Sequence, residues 1–252
     1  MSEVKTNKIS SLASNNDITI DPDGTGDTII ASGSVGIGTT SPDSLVHLSG
    51  ANPKLHIRNS SDSNRGGYLQ DNGSTFVLGS NSGVRNLVFS PDNTERMRID
   101  SSGRVTMPNQ PAFQVHKNGT EQSNIAADNS TVAVTFSTEA FDLGGNFASN
   151  TFTAPVTGKY LMALKLRFNN VDTASQYYIA RVITSNSEYH NIYDSDDDAG
   201  GDLEYLTLQV TQLVDMDAND TATVGVTQQG GTQQTDINGG RVYTSFSGYL
   251  VA

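Results

Sequence analysis

The 252-residue sequence contains no cysteine and no tryptophan. Without cysteine there is no disulfide framework, no thiolate nucleophile and no zinc knuckle in any redox compartment, so stability must come from packing or from assembly. Positive charge is also scarce: 15 lysines and arginines stand against 27 carboxylates, a net charge of −12. A phosphate backbone demands a clustered basic surface, so nucleic acid is not an expected partner. No stretch approaches the ~18 consecutive apolar residues of a membrane span, and the polar opening from Met1 to Lys8 carries no export-signal pattern. Membrane insertion is therefore not expected. An apolar heptad is missing too, because Val4, Ile9 and Leu12 fit no sustained period of ~3.5 residues, which argues against a coiled-coil stalk.

What the sequence does hold is 24 glycines and a crowd of Thr, Ser, Asn and Asp in nearly every segment, the composition of a turn-rich, all-β protein. From Asp17 to Val105 the pattern is a meander of very short strands: Ile18–Ile20, Thr28–Ile30, Leu45–Leu48, Lys54–Arg58, Tyr68–Gln70, Phe76–Leu78, Asn86–Phe89, Arg96–Ile99 and Arg104–Met107. Ser32-Gly33, Asn72-Gly73, Ser82-Gly83 and Ser102-Gly103 read as hairpin turns in which glycine supplies a positive φ. The clearest hairpin spans Met97 to Met107. So few large apolar side chains cannot offset the conformational entropy of this segment in a single chain, so its core is expected to be completed by other copies in an intertwined β assembly, which the resemblance given below implies is a trimeric shaft.

The texture changes at Met107-Pro-Asn-Gln-Pro111, where a domain boundary is expected. Beyond it the strands are longer and more apolar: Ala112–Val115, Val132–Phe136, Thr151–Ala154, Gly158–Phe168, Gln176–Thr184, Glu188–Tyr193, Leu203–Val214, Thr221–Gln228 and Arg241–Val251. Nine to ten strands without a helical run imply a two-sheet jelly roll. The expected division is into segments 1–30, 31–110 (β-rich) and 111–252 (a ten-strand jelly roll), to which the resemblances described next give the roles of attachment segment, shaft and head.

Several motifs in the last third occur in a recognisable order. Pro111-Ala-Phe-Gln-Val115, Phe136, Phe141-Asp142, Phe152-Thr-Ala-Pro-Val-Thr-Gly-Lys-Tyr160 and Ser245-Phe-Ser-Gly-Tyr-Leu250 resemble the globular head of complement component 1q and its tumour-necrosis-factor-like relatives. The resemblance implies a ten-strand jelly roll without helices and a compact homotrimer, although no collagen repeat precedes the head. Upstream, Ser34-Val-Gly-Ile-Gly-Thr-Thr-Ser-Pro-Asp-Ser-Leu45 and Glu95-Arg-Met-Arg-Ile-Asp-Ser-Ser-Gly-Arg-Val105 resemble segments of tail fibres from marine tailed bacteriophages. That resemblance implies a virion location, an N-terminus docked on other virion proteins and a distal head.

The densest titratable cluster is Tyr193-Asp-Ser-Asp-Asp-Asp-Ala-Gly-Gly-Asp202. A loop rich in carboxylates suits Ca²⁺, which takes about six to eight oxygens in flexible geometry. It departs from the EF-hand template, whose glycine and terminal glutamate are both out of place here. Some relatives of the resembled head hold calcium through an Asp after a Tyr and a second Asp eight residues on. Asp194 and Asp202 resemble that pair, with Asp196, Asp197 and Asp198 as helpers; charge runs are more commonly just exposed, so a solvated acidic loop is the first reading and calcium the second.

His47, His56, His116 and His190 lack metal-ligand spacing, and Gly24-x-Gly26 and Gly36-x-Gly38 open no helix. No nucleophile elbow or Ser-His-Asp arrangement is discernible, so an enzyme is not expected. The tyrosines between Tyr160 and Tyr205 read mainly as core or interface residues. The expected function is recognition of a host-cell surface glycan or protein by a homotrimeric fibre head, through loops Asn169–Gln176, Asp194–Asp202 and Gln229–Gly240. A purely structural virion role (head decoration, short fibre or baseplate component) is the first alternative, and a polysaccharide depolymerase the second.

Overall fold

The structure is a computed structural model that describes residues 34–58, 66–81, 86–195 and 200–252. The polypeptide divides into two compact units, 1–87 and 88–252. Among the described residues the only helical element is a single 3₁₀ turn at Pro91–Asn93, and everything else regular is β-strand.

The first unit holds β1 (Val35–Ile37), β2 (Val46–Leu48), β3 (Lys54–Arg58), β4 (Gly66–Asp71) and β5 (Phe76–Asn81). The strands are as short as the glycine-punctuated sequence leads one to expect, but β1 was not foreseen and it pairs with β2 in parallel rather than as a hairpin. The connection between Ile37 and Val46 is short for a parallel crossover and contains Pro42, which donates no ladder bond. β3, β4 and β5 form an antiparallel meander. Its β4–β5 turn uses Asn72-Gly73 as expected: Gly73 sits at φ 85°, and the Asn72 side-chain oxygen accepts from the amides of Ser74 and Thr75. The expected strands Ile18–Ile20 and Thr28–Ile30, and the turns at Ser32-Gly33 and Ser82-Gly83, lie outside the described residues.

β6 (Leu87–Phe89), β7 (Met97–Ile99) and β8 (Val105–Thr106) make a second small sheet. Its β7–β8 hairpin is the one read between Met97 and Met107. Asp100 closes the turn by accepting from the amides of Ser102 at 2.8 Å and Arg104 at 3.0 Å, and from the Arg104 guanidinium.

The remaining strands are β9 (Ala112–His116), β10 (Val132–Ala133), β11 (Thr138–Leu143), β12 (Phe147–Ala148), β13 (Thr151–Thr153) and β14 (Gly158–Val171). They are followed by β15 (Tyr177–Thr184), β16 (Glu188–Asp194), β17 (Leu203–Met216), β18 (Thr221–Gln229), β19 (Asp236–Ile237) and β20 (Ser245–Leu250). One sheet runs β11-β9-β20-β14-β17 and the other β12-β13-β18-β15-β16, with the two-residue strands β19 and β10 attached to β14 and β18. The chain crosses between the sheets at every step from β9 to β12, again from β13 to β15 and from β16 to β19, which is the winding of a jelly roll. Ten strands in two five-strand ladders is the expected head architecture.

Three departures have local causes. β11 was missed because a bulge at Ala140 breaks the alternation between Glu139 and Phe141. β12 and β19 are only two residues long, too short for a periodic signal. Arg241–Tyr243, read as the start of the last strand, is a turn held by bonds from the amides of Tyr243 and Thr244 to the Gly240 carbonyl.

Strict period-two burial along β14 sends Tyr160, Met162, Leu164, Leu166 and Phe168 into the space between the sheets. They meet an aromatic cluster in which Phe113 stacks on Phe152 at 4.7 Å and on Phe147 at 5.1 Å, with Phe246 edge-on. The motifs singled out in the sequence are therefore packing residues: Phe152, Tyr160 and Phe246 are buried, and the Tyr160 hydroxyl donates to the Val156 carbonyl. Gly248 is needed for space, since a Cβ there would stand 2.6 Å from Met162 Sδ and 2.7 Å from the Phe113 ring.

Candidate functional site

β14 orients everything that follows. At its start, the Lys159 amide donates to the Ala252 carbonyl and the Leu250 amide to the Pro111 carbonyl, so both ends of the sandwich segment lie at one pole. At its other end, roughly 40 Å away for a strand of this length, the β14–β15, β16–β17 and β18–β19 loops emerge. These are the three loops marked as contact surfaces in the sequence.

A buried polar knot ties these loops together. Asp172 is almost fully buried, and its carboxylate accepts from the Ala174 amide at 2.8 Å, the Thr232 hydroxyl at 2.7 Å and the Thr232 amide. Burial pushes its pKa upward, but the bonds from Thr232 and Ala174 outweigh burial and hold the carboxyl below the usual range. The Tyr178 hydroxyl sits beside it, donating to the Asp172 carbonyl at 3.0 Å and meeting the hydroxyls of Ser175 and Thr235. Burial raises the pKa of that phenol. Gln228 donates from its amide to Ser175 Oγ and to the carbonyls of Gly230 and Thr232. Gly231, at φ 71°, lies so close that a Cβ would stand 2.6 Å from an Asp172 oxygen. The Gln228–Thr235 stretch, which looks free and adaptable in the sequence, is anchored at both ends by fully buried side chains.

The acidic loop joins the same rim. Ser195 donates to the Ser175 carbonyl, and Asp202 accepts from the Thr173 amide at 3.2 Å and from Gln234 at 2.9 Å. Asp194 ends β16 and Asp202 immediately precedes β17, so the two expected calcium ligands flank the loop. Asp196, Asp197 and Asp198 lie outside the described residues. Among the described residues, no group of three acidic or histidine side chains is placed to hold a metal. Asp202 already serves as an acceptor for two neighbours.

A second feature lies on the outer face of the β11-β9-β20-β14-β17 sheet, where residues paired directly across antiparallel strands share a face. Leu143, Ala112, Tyr249, Leu161 and Leu213 are successive partners across all five strands and so form one apolar row. Leu143, Tyr249 and Leu213 are 41%, 49% and 50% exposed, and Phe141 beside them 46%. Sequence reasoning had no means of finding this row, because its members are scattered along the chain. Farther toward the rim the face turns polar, and Arg167 stacks its guanidinium on Tyr205 at 3.5 Å and Tyr243 at 4.2 Å.

No protein-family model matches the sequence, and no curated protein matches it. Solved structures do align with it: the globular domain of zebrafish complement 1qA, at 14% identity, covering 57% of this chain and 98% of that one with a TM-score of 0.38. A crystal structure of murine APRIL aligns at 12% identity over 56% of this chain and 99% of that one, with a TM-score of 0.40. Scores of this size carry no argument about function, so the jelly roll stands on its own strand order.

Proposed function

We propose that this chain is the subunit of a homotrimeric tailed-phage fibre whose head recognises a host-cell surface glycan or protein. The observation that carries the assembly is the row Leu143–Ala112–Tyr249–Leu161–Leu213: five neighbouring strands present apolar side chains to solvent on a chain of net charge −12. A contiguous apolar patch of this kind marks a contact surface. Closed threefold packing of copies over this face would leave the loop rim free, and three rims on one particle raise weak contacts by avidity. The virion setting rests on the resemblance of residues 34–45 and 95–105 to fibre segments, with residues 1–30 as the attachment to other virion proteins. The acidic loop is assigned to calcium through Asp194 and Asp202, with Asp196, Asp197 and Asp198 completing the shell.

Light scattering of the purified chain should give a trimer mass, and Leu213→Asp with Tyr249→Asp should give a monomer with an intact β circular dichroism spectrum. Saturating purified trimer should block adsorption of the parent virus to its host, and labelled antibody should locate the chain on exterior fibres. Unimpaired adsorption would leave assembly without recognition. Calcium should raise the melting temperature of the wild type and not that of Asp194→Asn with Asp202→Asn.

A further inference from the structure

The two sheets meet closely on the β16–β17 side, where the Asn191 amide donates to the Gln209 carbonyl, but they part on the opposite side between β11 and β12. There a cleft of about 480 Å³ reaches down to the aromatic cluster. This lies within the ~300–1,000 Å³ common for small-molecule sites. Val115, Phe136 and Phe147 make its floor, and Phe136 is held flat by stacking on Phe246 at 6.1 Å and edge-on to Phe147.

The walls are entirely polar, and one of them carries charge. Glu139 lines the cleft from the bulged strand β11, where its backbone pairs with Val115, and among the described residues its carboxylate has no hydrogen-bond or ion-pair partner. Opposite it, Ser149 and Asn150 form the β12–β13 turn with both residues at positive φ, 50° and 64°, a conformation costly for serine. The Asn150 side-chain oxygen is fixed by the Phe136 amide at 2.7 Å, which locks this wall to the floor. The bulge on one wall re-aims side chains, as bulges beside binding sites do, while the left-handed pair on the other is the type I′ geometry of a two-residue hairpin.

The geometry points to a binding site for a neutral sugar ring. The aromatic floor suits the apolar C–H face of a pyranose, and the hydroxyls, amide and free carboxylate around it suit its hydroxyl edge. The only charge in the lining is negative, so acidic sugars are disfavoured. The site gives the receptor-recognition reading a ligand class and rests on that reading for its biological role alone.

The test uses the full chain and saturation-transfer difference NMR with glucose, galactose, N-acetylglucosamine and glucuronate. A neutral sugar should give signals from its ring C–H protons and glucuronate should give none. Glu139→Gln should weaken binding about tenfold, the usual consequence of losing a charge-assisted bond. The Glu139 side chain is exposed and has no partner among the described residues, so this variant should fold as the wild type does, and Phe136→Leu supplies a second variant. Absence of signal from every neutral sugar, equal signal from wild type and Glu139→Gln, or preference for glucuronate overturns the proposal. Adsorption separates it from the broader reading. If Glu139→Gln blocks adsorption as well as wild type, the cleft falls and recognition stands; if neutral sugar binds through Glu139 while adsorption is untouched, recognition falls and the cleft stands.

Discussion

Before Pro111 and after it, the same polar, glycine-rich composition is handled in opposite ways. Among the described residues from 34 to 110, only Gly66 is buried, and Ile57 and Phe76 are 71% and 70% exposed. From Pro111 onward a continuous core runs from Phe113 to Phe246. The β3–β4–β5 meander shows why: Lys54, His56, Tyr68 and Gly79 pack one face, with the Lys54 ammonium 3.7 Å from the centre of the Tyr68 ring, while Leu55, Leu69 and Leu78 line up across the other and stay 48%, 39% and 48% exposed among the described residues. Short strands can form a ladder but cannot close a core, whereas two fourteen-residue strands, β14 and β17, supply enough alternation to close one alone.

The largest effect should come from the self-contained core. Phe113→Ala removes a ring that touches three others and should cost about 3–5 kcal/mol by chemical denaturation, a large share of the ~5–15 kcal/mol usual for a domain. A loss below about 1 kcal/mol would mean that the sandwich also depends on other copies. Next, Asp172→Asn should cost about 2 kcal/mol by stranding donors of the rim. Because folding lowers the Asp172 pKa, its stabilisation is complete above the ordinary carboxyl range near pH ~4 and is lost as pH falls through the lower, folded value. Wild type should therefore lose melting temperature below pH ~4 more steeply than the Asn variant does.

Tyr178→Phe should cost about 1 kcal/mol and speed amide exchange in the rim loops without touching the opposite pole. Tyr205→Ala should cost about 0.5–1 kcal/mol, the worth of an exposed guanidinium–ring contact. The smallest effect sharpens the comparison most. Leu69→Ser should leave the sandwich's melting within ~0.5 kcal/mol of wild type while weakening association of the full chain, measured by sedimentation at falling concentration.

Much of the architecture was legible because the strands after Pro111 keep their period over long runs: β14 and β17 were placed within a few residues, and Tyr160 was read as a core or interface residue. Legibility failed where the backbone departs from its period, as at Ala140, or where a strand is too short to have one. The rim loops were recognisable singly, yet their union was not, because Asp172 finds Thr232 and Thr173 finds Asp202 across long stretches of chain. The apolar row and the β11–β12 cleft were invisible for the same reason. The parallel β1–β2 pair escaped because glycine and serine signal a turn without saying how far the chain travels before it pairs.

The polarity of the sandwich also has a mechanical meaning. The chain enters β9 at Pro111, at the pole opposite the rim, and β9 is bonded along its length to β11 and to β20. A pull between residue 111 and something gripped at the rim acts parallel to these strands. The ladder bonds on both sides of β9 then bear the load together in shear, instead of parting one at a time as they would if the strand were peeled from its end. A sandwich wound this way resists extension along β9 better than it resists peeling of the same strand from its end.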